Sequence, residues 1–210
     1  MGTTLIVTFG FDEKFCYRAI MRNGIGDGDR IILITAGAVE KVLNAYDHVR
    51  KFVSTTYNDV KVELIEVNPR DFVSGVLRVL EILRSVEGRV VVNLSGGMRV
   101  LSLMVYAALT LLDKGARIEI ELEDFSGVVE ISEALVKLPR VLSTLSDEKI
   151  KLVKTVKELG EVEAMKLAKI LGKDASTVRR HIYELEEASL VEIVSRKPLK
   201  VRASKLVDLL

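Results

Sequence analysis

The sequence predicts an α/β fold, a Rossmann-like parallel sheet closed by an antiparallel hairpin, followed by a small α+β winged helix-turn-helix domain. Three observations carry that reading. Short apolar runs at residues 5–9, 31–35, 60–67 and 90–94 alternate with amphipathic stretches at 14–23, 39–54 and 72–86. Parallel neighbours need crossover connections, so strand and helix alternating at this spacing imply a sheet wrapped by helices. The last third runs helix, helix, helix, hairpin, which is the winged-helix order. Finally, 210 residues suffice for one medium domain and one small one.

Taken in order, Phe72, Val76, Leu77, Leu80 and Leu83 fall at helical spacing. Val90-Val91-Val92 is apolar on both faces, as a central parallel strand requires. The stretch 98–113 predicts a helix apolar nearly all round. An outer-layer helix needs one apolar face, so its second face calls for cover, and another subunit supplies it most simply. Residues 117–123 alternate, Ile118, Ile120 and Leu122 against Glu119, Glu121 and Glu123, which predicts a strand with a solvated acidic face. Phe125-Ser126-Gly127 then turns the chain into an antiparallel strand at 128–131.

Pro139 and the serines of 138–146 suggest a linker, and Ser146, Asp147 and Glu148 offer capping side chains to the next helix. Helices are expected at 149–159 and 161–171, ended by Gly160 and Gly172, and at 175–188 behind Asp174. Strands at 191–194 and 199–202 flank Arg196-Lys197-Pro198. The expected organisation is a ligand-binding and dimerisation domain at 1–137, a linker at 138–146 and a DNA-binding domain at 147–210.

Composition narrows the classes. The single cysteine, Cys16, excludes an internal disulfide framework and thiolate zinc clusters, and the two histidines, His48 and His181, lie far apart. No metal or cofactor is expected. The strand at the N-terminus argues against a leader, and 100–112 is too short an apolar run to span a bilayer, so the expectation is a cytoplasmic protein. Absence of glutamine and tryptophan with abundant Val, Ile, Glu and Lys resembles thermophile composition. Residues 1–143 hold 17 basic and 19 acidic side chains and residues 144–210 hold 14 and 11, so the basic surplus sits in the C-terminal part.

That part carries a helix-turn-helix signature. Gly172-Lys173-Asp174 is a short interhelical turn. In the helix after it, Val178, Ile182 and Leu185 face inward, while Ser176, Thr177, Arg180 and Tyr183 face outward with Arg179 at the flank. Hydroxyls at the N-terminal end with arginines one turn on suit entry into the major groove of double-stranded DNA, where Arg can bond guanine bidentately. Arg196 and Lys197 at the wing tip suit backbone phosphate. The stretch from Ser176 through Glu192 resembles the recognition helix and wing of MarR- and ArsR-type archaeal regulators. His181 reads as a packing or phosphate residue.

Two loops of the first domain follow strand C-termini, where ligands bind in open α/β sheets. One holds Gly10, Phe11 and Asp12; the other holds Asn93, Ser95, Gly96, Gly97, Met98 and Arg99. Adjacent glycines permit close backbone approach, free N–H groups at the following helix attract anions, and Asn93, Ser95 and Arg99 add donors. Together they suit a phosphorylated, nucleotide-like ligand. Gly97→Val is expected to block that ligand with little effect on the fold. Dinucleotide and P-loop glycine patterns are absent, the glycine-rich stretch 24–29 precedes a strand and reads as a plain loop, and no catalytic residues are assigned.

With Gly10-Phe11 after strand one and Asn93-x-Ser95-Gly96-Gly97-x-Arg99 after strand four, fused to a winged helix, essentially the whole chain resembles the archaeal CRISPR-associated Rossmann-fold (CARF) transcriptional regulators. The resemblance implies a homodimer that binds a cyclic oligoadenylate, the tetramer foremost, across its two-fold axis. Gly10, Phe11 and Asp12 would line one half of each site and Asn93, Ser95, Gly96, Gly97, Met98 and Arg99 the other. The expected function is ligand-responsive transcriptional regulation of CRISPR loci in antiviral defence. A ring nuclease that cleaves the cyclic oligoadenylate and a winged-helix protein-interaction scaffold are the alternatives.

Overall fold

Val90, Val91 and Val92 lie in the interior of a six-stranded sheet and are buried on both faces. The computed structural model describes residues 2–112 and 114–210. The chain divides into two units, Met1–Val136 and Lys137–Leu210. Met1 and Asp113, the first residue of the expected ligand domain and the last of its expected apolar helix, lie outside the described residues.

The first unit comprises β1 (Thr3–Thr8), α1 (Lys14–Asn23), β2 (Arg30–Thr35), α2 (Glu40–Thr56), β3 (Lys61–Glu66), α3 (Phe72–Ser85), β4 (Arg89–Asn93), α4 (Arg99–Leu111), β5 (Arg117–Glu121) and β6 (Val128–Ile131). Strand order is β3-β2-β1-β4-β5-β6. The pairs through β5 are parallel, and β5 with β6 is antiparallel. This is the Rossmann-like sheet with a terminal hairpin. Because side chains alternate along a strand, Leu5, Val7, Leu33 and Val91 pack with Cys16, Ala19 and Ile20 of α1 and with α2 residues. Ile6, Ile32, Val92 and Ile118 pack with α3 and α4. The outer surface of the α3–α4 layer stays apolar, with Val73, Leu77 and Leu103 exposed.

The 24–29 loop is a structural clasp. Asp27 accepts hydrogen bonds from the N–H groups of Asn58 and Asp59 at 2.8 and 3.2 Å. Asp29 accepts from Thr3 N–H at 2.6 Å and Gly26 N–H at 3.0 Å, fixing the start of β2 to that of β1.

In β5 the expectation of a solvated acidic face is overturned. Glu119 and Glu121 are buried because α1 lays Arg18, Arg22 and Asn23 over that face and pairs with them. The alternation was real; the acidic side is covered by cations instead of water.

The second unit holds α6 (Asp147–Leu159), β7 (Val162–Glu163), α7 (Ala164–Leu171), α8 (Ala175–Glu187), β8 (Val191–Arg196), β9 (Leu199–Ala203) and a closing 3-10 turn (Lys205–Leu209). Leu152, Val153, Val156, Leu167, Val178, Ile182, Leu185 and Val201 are buried. The strands form a three-stranded antiparallel sheet in the order β7-β9-β8.

Three local expectations are corrected. The expected linker at 138–146 is helical through Thr144, since α5 (Glu133–Thr144) runs through Pro139 and across the division between the units. Buried Val136 and Leu138 favour the helix, while a proline inside it forfeits one i→i−4 hydrogen bond. The helix expected to begin at Glu161 begins at Ala164, because Val162 and Glu163 pair with Val201 and Lys200. Neither Ser146 nor Asp174 makes a side-chain cap bond, although each occupies the N-cap position.

Candidate ligand cleft and nucleic-acid interface

Chain order and strand order diverge at β1. The chain leaves it through α1 toward β2 and β3, then returns through α3 to place β4 on its other side. At such a switch point the loops beyond the strand C-termini part and leave a crevice. A cleft of about 450 Å³ opens there. The β1–α1 segment contributes Phe9, Gly10, Phe11, Asp12 and Phe15, and the β4–α4 segment contributes Ser95, Gly96, Gly97 and Met98. The β2–α2 segment adds Thr35, Ala36, Gly37, Val39 and Val42.

The glycines have a local cause. A Cβ on Gly96 would lie 2.7 Å from the Thr8 carbonyl oxygen, and one on Gly97, where φ is +73°, would lie 2.9 Å from that of Phe9. The two loops therefore meet backbone to backbone. Asp12 Oδ1 accepts from Lys14 N–H at 2.9 Å, closing the first turn of α1. Phe11 is 65% exposed at the mouth of the cleft, with Lys41 Nζ 5.9 Å from its ring centroid. At the N-terminus of α4 no side chain caps the helix and its first turn has no acidic residue, which leaves N–H groups and the helix dipole available to an anion.

Of the residues expected here, Gly10, Phe11, Asp12, Ser95, Gly96, Gly97 and Met98 come together around one cleft. Asn93 and Arg99 do not line it. Asn93 is fully buried beneath the loop; its Nδ2 donates to Glu119 Oε1 at 3.0 Å and its Oδ1 accepts from Ser95 N–H at 3.1 Å. Arg99 is exposed. The β2–α2 wall escaped the sequence reading. Its residues are small or apolar, and the usable signal was positional, since the strand paired with β1 on the far side must end beside the same crevice.

Burial holds Glu119 upward, yet hydrogen bonds from Arg22, Asn93 and Asn23 outweigh it and keep the carboxyl below its ordinary range. Burial alone pushes the Cys16 thiol up to about 12, so it stays protonated and unreactive at neutral pH. Among the described residues no cluster of three or more His, Cys, Asp or Glu is placed to hold a metal ion.

In the second unit, α8 buries Val178, Ile182 and Leu185 and exposes Ser176, Arg179, Arg180 and Tyr183, with Thr177 half-buried. The outward residues divide between two flanks. Arg179 and Tyr183 join Arg196, Lys197 and Pro198 of the β8–β9 hairpin and Glu163, Ala164 and Met165 of the β7–α7 junction around a cleft of about 390 Å³. Arg180 lies on the other flank, near Glu148 and Glu184. The hydrogen bond from Lys173 chiefly holds Glu148 low, and that from Lys149 chiefly holds Glu184 low, with Arg180 adding a smaller pull on each. His181 is buried beside Glu148, Lys151 and Lys173. The sequence carries no signal for Ala164 and Met165, because its periodicity predicts one continuous helix where the β7–α7 junction stands.

A mostly parallel Rossmann-like sheet with its crevice at the β1/β4 switch point, followed by a separate unit with a three-stranded antiparallel sheet, defines the CRISPR-associated Rossmann-like class of architecture. The Csa3 CRISPR-associated Rossmann-like domain family matches residues 3–132, and this chain belongs to that family. A second family, HVO_A0114, matches residues 144–206. The "CRISPR locus-related putative DNA-binding protein Csa3" of Saccharolobus solfataricus is 20% identical over 188 residues, covering 88% of this chain and 78% of that protein. Among solved structures, the multiple antibiotic-resistance repressor MarR of Listeria monocytogenes matches 34% of this chain at 15% identity and a TM-score of 0.31; the match spans half the length of that protein. RuvB of Thermotoga maritima matches at 15% identity with a TM-score of 0.26, covering 97% of this chain and 76% of that one. No helix among the described residues is long and apolar enough to cross a membrane.

Proposed function

We propose that this chain is a cytoplasmic, ligand-responsive transcriptional regulator of CRISPR loci that binds double-stranded DNA through its second unit and a cyclic oligoadenylate, the tetramer foremost, through its first. The observation that carries the reading is the convergence of the Gly10–Asp12 and Ser95–Met98 loops on one cleft at the switch point of a Csa3-family domain. The free N-terminus of α4 and the exposed Arg99 beside that cleft suit phosphate. Phe11 at its mouth offers a face to a base. The exposed apolar surface of Val73, Leu77 and Leu103 suits a homodimer, which a two-fold symmetric ligand requires.

DNA binding is supported by the description of the Saccharolobus relative and by the cleft that gathers Arg179, Tyr183, Arg196 and Lys197. Three cations beside a groove between recognition helix and wing suit a phosphate backbone, while Ser176, Thr177 and Arg180 face outward where base edges would lie. The reading makes the protein a sensor and not an enzyme. A gel shift on promoter DNA of a CRISPR locus, with and without cyclic tetra-adenylate, tests it. A retarded band whose intensity responds to the nucleotide is expected. Absence of any retarded band removes the DNA-binding half, and a band indifferent to the nucleotide removes the sensing half.

A further inference from the structure

We propose that Glu119 and Glu121, the buried carboxylates of β5, are positioning residues of the ligand cleft that hold its two main walls in register. The proposal rests on the ligand reading above for its function, and on the following geometry for its substance.

The cleft has one wall from the β1–α1 segment and one from the β4–α4 loop. The β4–α4 wall touches β5 through its lining residue Ser95, and the β1–α1 wall is tied to β5 through side chains of α1. From the β4 side, Asn93 Nδ2 donates to Glu119 Oε1 at 3.0 Å while Asn93 Oδ1 receives Ser95 N–H at 3.1 Å. Ser95 Oγ accepts the N–H of Glu121 at 2.7 Å. From the α1 side, Phe15 lines the cleft, and Arg18 and Arg22 follow it at i+3 and i+7, on the same face of the helix. Arg22 Nη2 donates to Glu119 Oε1 at 2.8 Å and Arg22 Nη1 to Glu121 Oε2 at 3.4 Å. Arg18 pairs with Glu121 Oε1, and Asn23 Nδ2 reaches Glu119 Oε1 at 3.1 Å.

One oxygen, Glu119 Oε1, thus accepts from three side chains on two elements. Both carboxylates have no solvent-exposed side-chain surface. A buried charge is tolerated only when paired and hydrogen-bonded, so the donors around it are held in fixed places. Since those donors carry the cleft walls, fixing them fixes the separation of Phe15 from Ser95. The same network offers a route by which a ligand pressing on the Ser95–Met98 loop shifts α1.

The test measures two things on Glu119→Gln: hydrogen exchange of the Ser95–Met98 amides without ligand, and calorimetric affinity for cyclic tetra-adenylate. Exchange at those amides should rise at least tenfold, and affinity should fall at least tenfold in protein that is still folded at the assay temperature. Arg18→Gln, at a half-exposed side chain, cuts one tie from the surface and should move both readouts in the same direction even where Glu119→Gln does not fold. A lower melting temperature with loop exchange and affinity at wild-type values would mean a merely structural role and would overturn the proposal. Should the wild-type protein not bind cyclic tetra-adenylate, the ligand reading fails, while the exchange measurement still decides whether β5 positions the loop.

Discussion

The backbone of Gly10 passes so close to that of Gly97 that a Cβ on Gly10 would stand 3.0 Å from the Gly97 Cα. The contact revises the expectation that Gly97→Val blocks a ligand and leaves the fold alone. A β-branched residue at φ +73°, with its Cβ 2.9 Å from the Phe9 carbonyl oxygen, incurs both left-handed strain and overpacking. The predicted destabilisation is about 2–5 kcal/mol, read as a clear drop in the thermal midpoint by circular dichroism. A midpoint equal to wild type would mean that the two loops do not touch in solution.

Arg99 behaves oppositely. Its side chain is exposed and has no ion-pair partner among the described residues, so Arg99→Ala should leave the melt within about 0.5 kcal/mol of wild type. If the guanidinium serves phosphate at the rim of the cleft, the same variant should weaken cyclic tetra-adenylate binding by about 1.5–3 kcal/mol, the worth of a hydrogen bond to a charged group. Calorimetry on wild type and variant decides it, and equal affinities would leave Arg99 outside the site.

How far this was legible in the sequence follows from what each residue reports about its neighbours. Strands covered on both faces announce themselves, because Val90-Val91-Val92 can only be central, and the glycines beside Ser95 mark a turn whatever lies against it. The acidic face of β5 was misread because alternation reports that Glu119 and Glu121 share a side, not what covers that side. The covering cations stand about a hundred residues earlier, as Arg18 and Arg22 four apart on α1. Pro139 misled in the opposite sense, since its local tendency to break a helix yielded to the burial of Val136 and Leu138. Asn93 was the subtlest case, an amide placed correctly at the loop but turned toward Glu119 instead of the cleft.

On the proposed DNA-binding reading, the division of the outward α8 residues between two flanks predicts two kinds of defect. Arg179→Ala and Arg196→Ala, both facing the cleft at the wing, should weaken binding to all sequences alike and lower the slope of log K against log salt by about 1 each. Arg180→Ala, on the other flank, should cost about 1–3 kcal/mol on the preferred site and relax sequence preference. Fluorescence anisotropy on specific and scrambled duplexes at several salt concentrations separates the two. Identical behaviour of Arg179→Ala and Arg180→Ala would erase the distinction.

Acid should expose the β5 network. Glu119 is held below its ordinary value of 4.5 in the folded protein, burial being outweighed by Arg22, Asn93 and Asn23. A carboxyl with a depressed folded pKa contributes stability that is fully present above its unfolded pKa and disappears as the pH falls through the folded value. The stability gap between wild type and Glu119→Gln should therefore be constant from neutral pH down to about 5 and narrow steadily toward pH 3. Urea melts of both proteins across that range provide the measurement. A gap that does not change with pH would mean that Glu119 does not titrate in the folded state as its surroundings require.

Ligand and operator should finally be linked. A symmetric nucleotide on the two-fold axis of a homodimer touches both protomers, so it binds unequally to any two arrangements of them, and an effector can shift an equilibrium only through such a difference. Two recognition helices reading successive major-groove faces need centres near ~34 Å or a multiple of it, which makes the operator a pseudo-palindrome and its affinity sensitive to that arrangement. The expected coupling is about 1–3 kcal/mol, and reciprocity requires DNA to change nucleotide affinity by the same factor that nucleotide changes DNA affinity. Titrating cyclic tetra-adenylate into the free protein and into its complex with promoter DNA measures both sides of the cycle. Equal nucleotide affinities in the two titrations would mean that the Csa3-family unit and the second unit act independently, and that sensing does not reach the DNA.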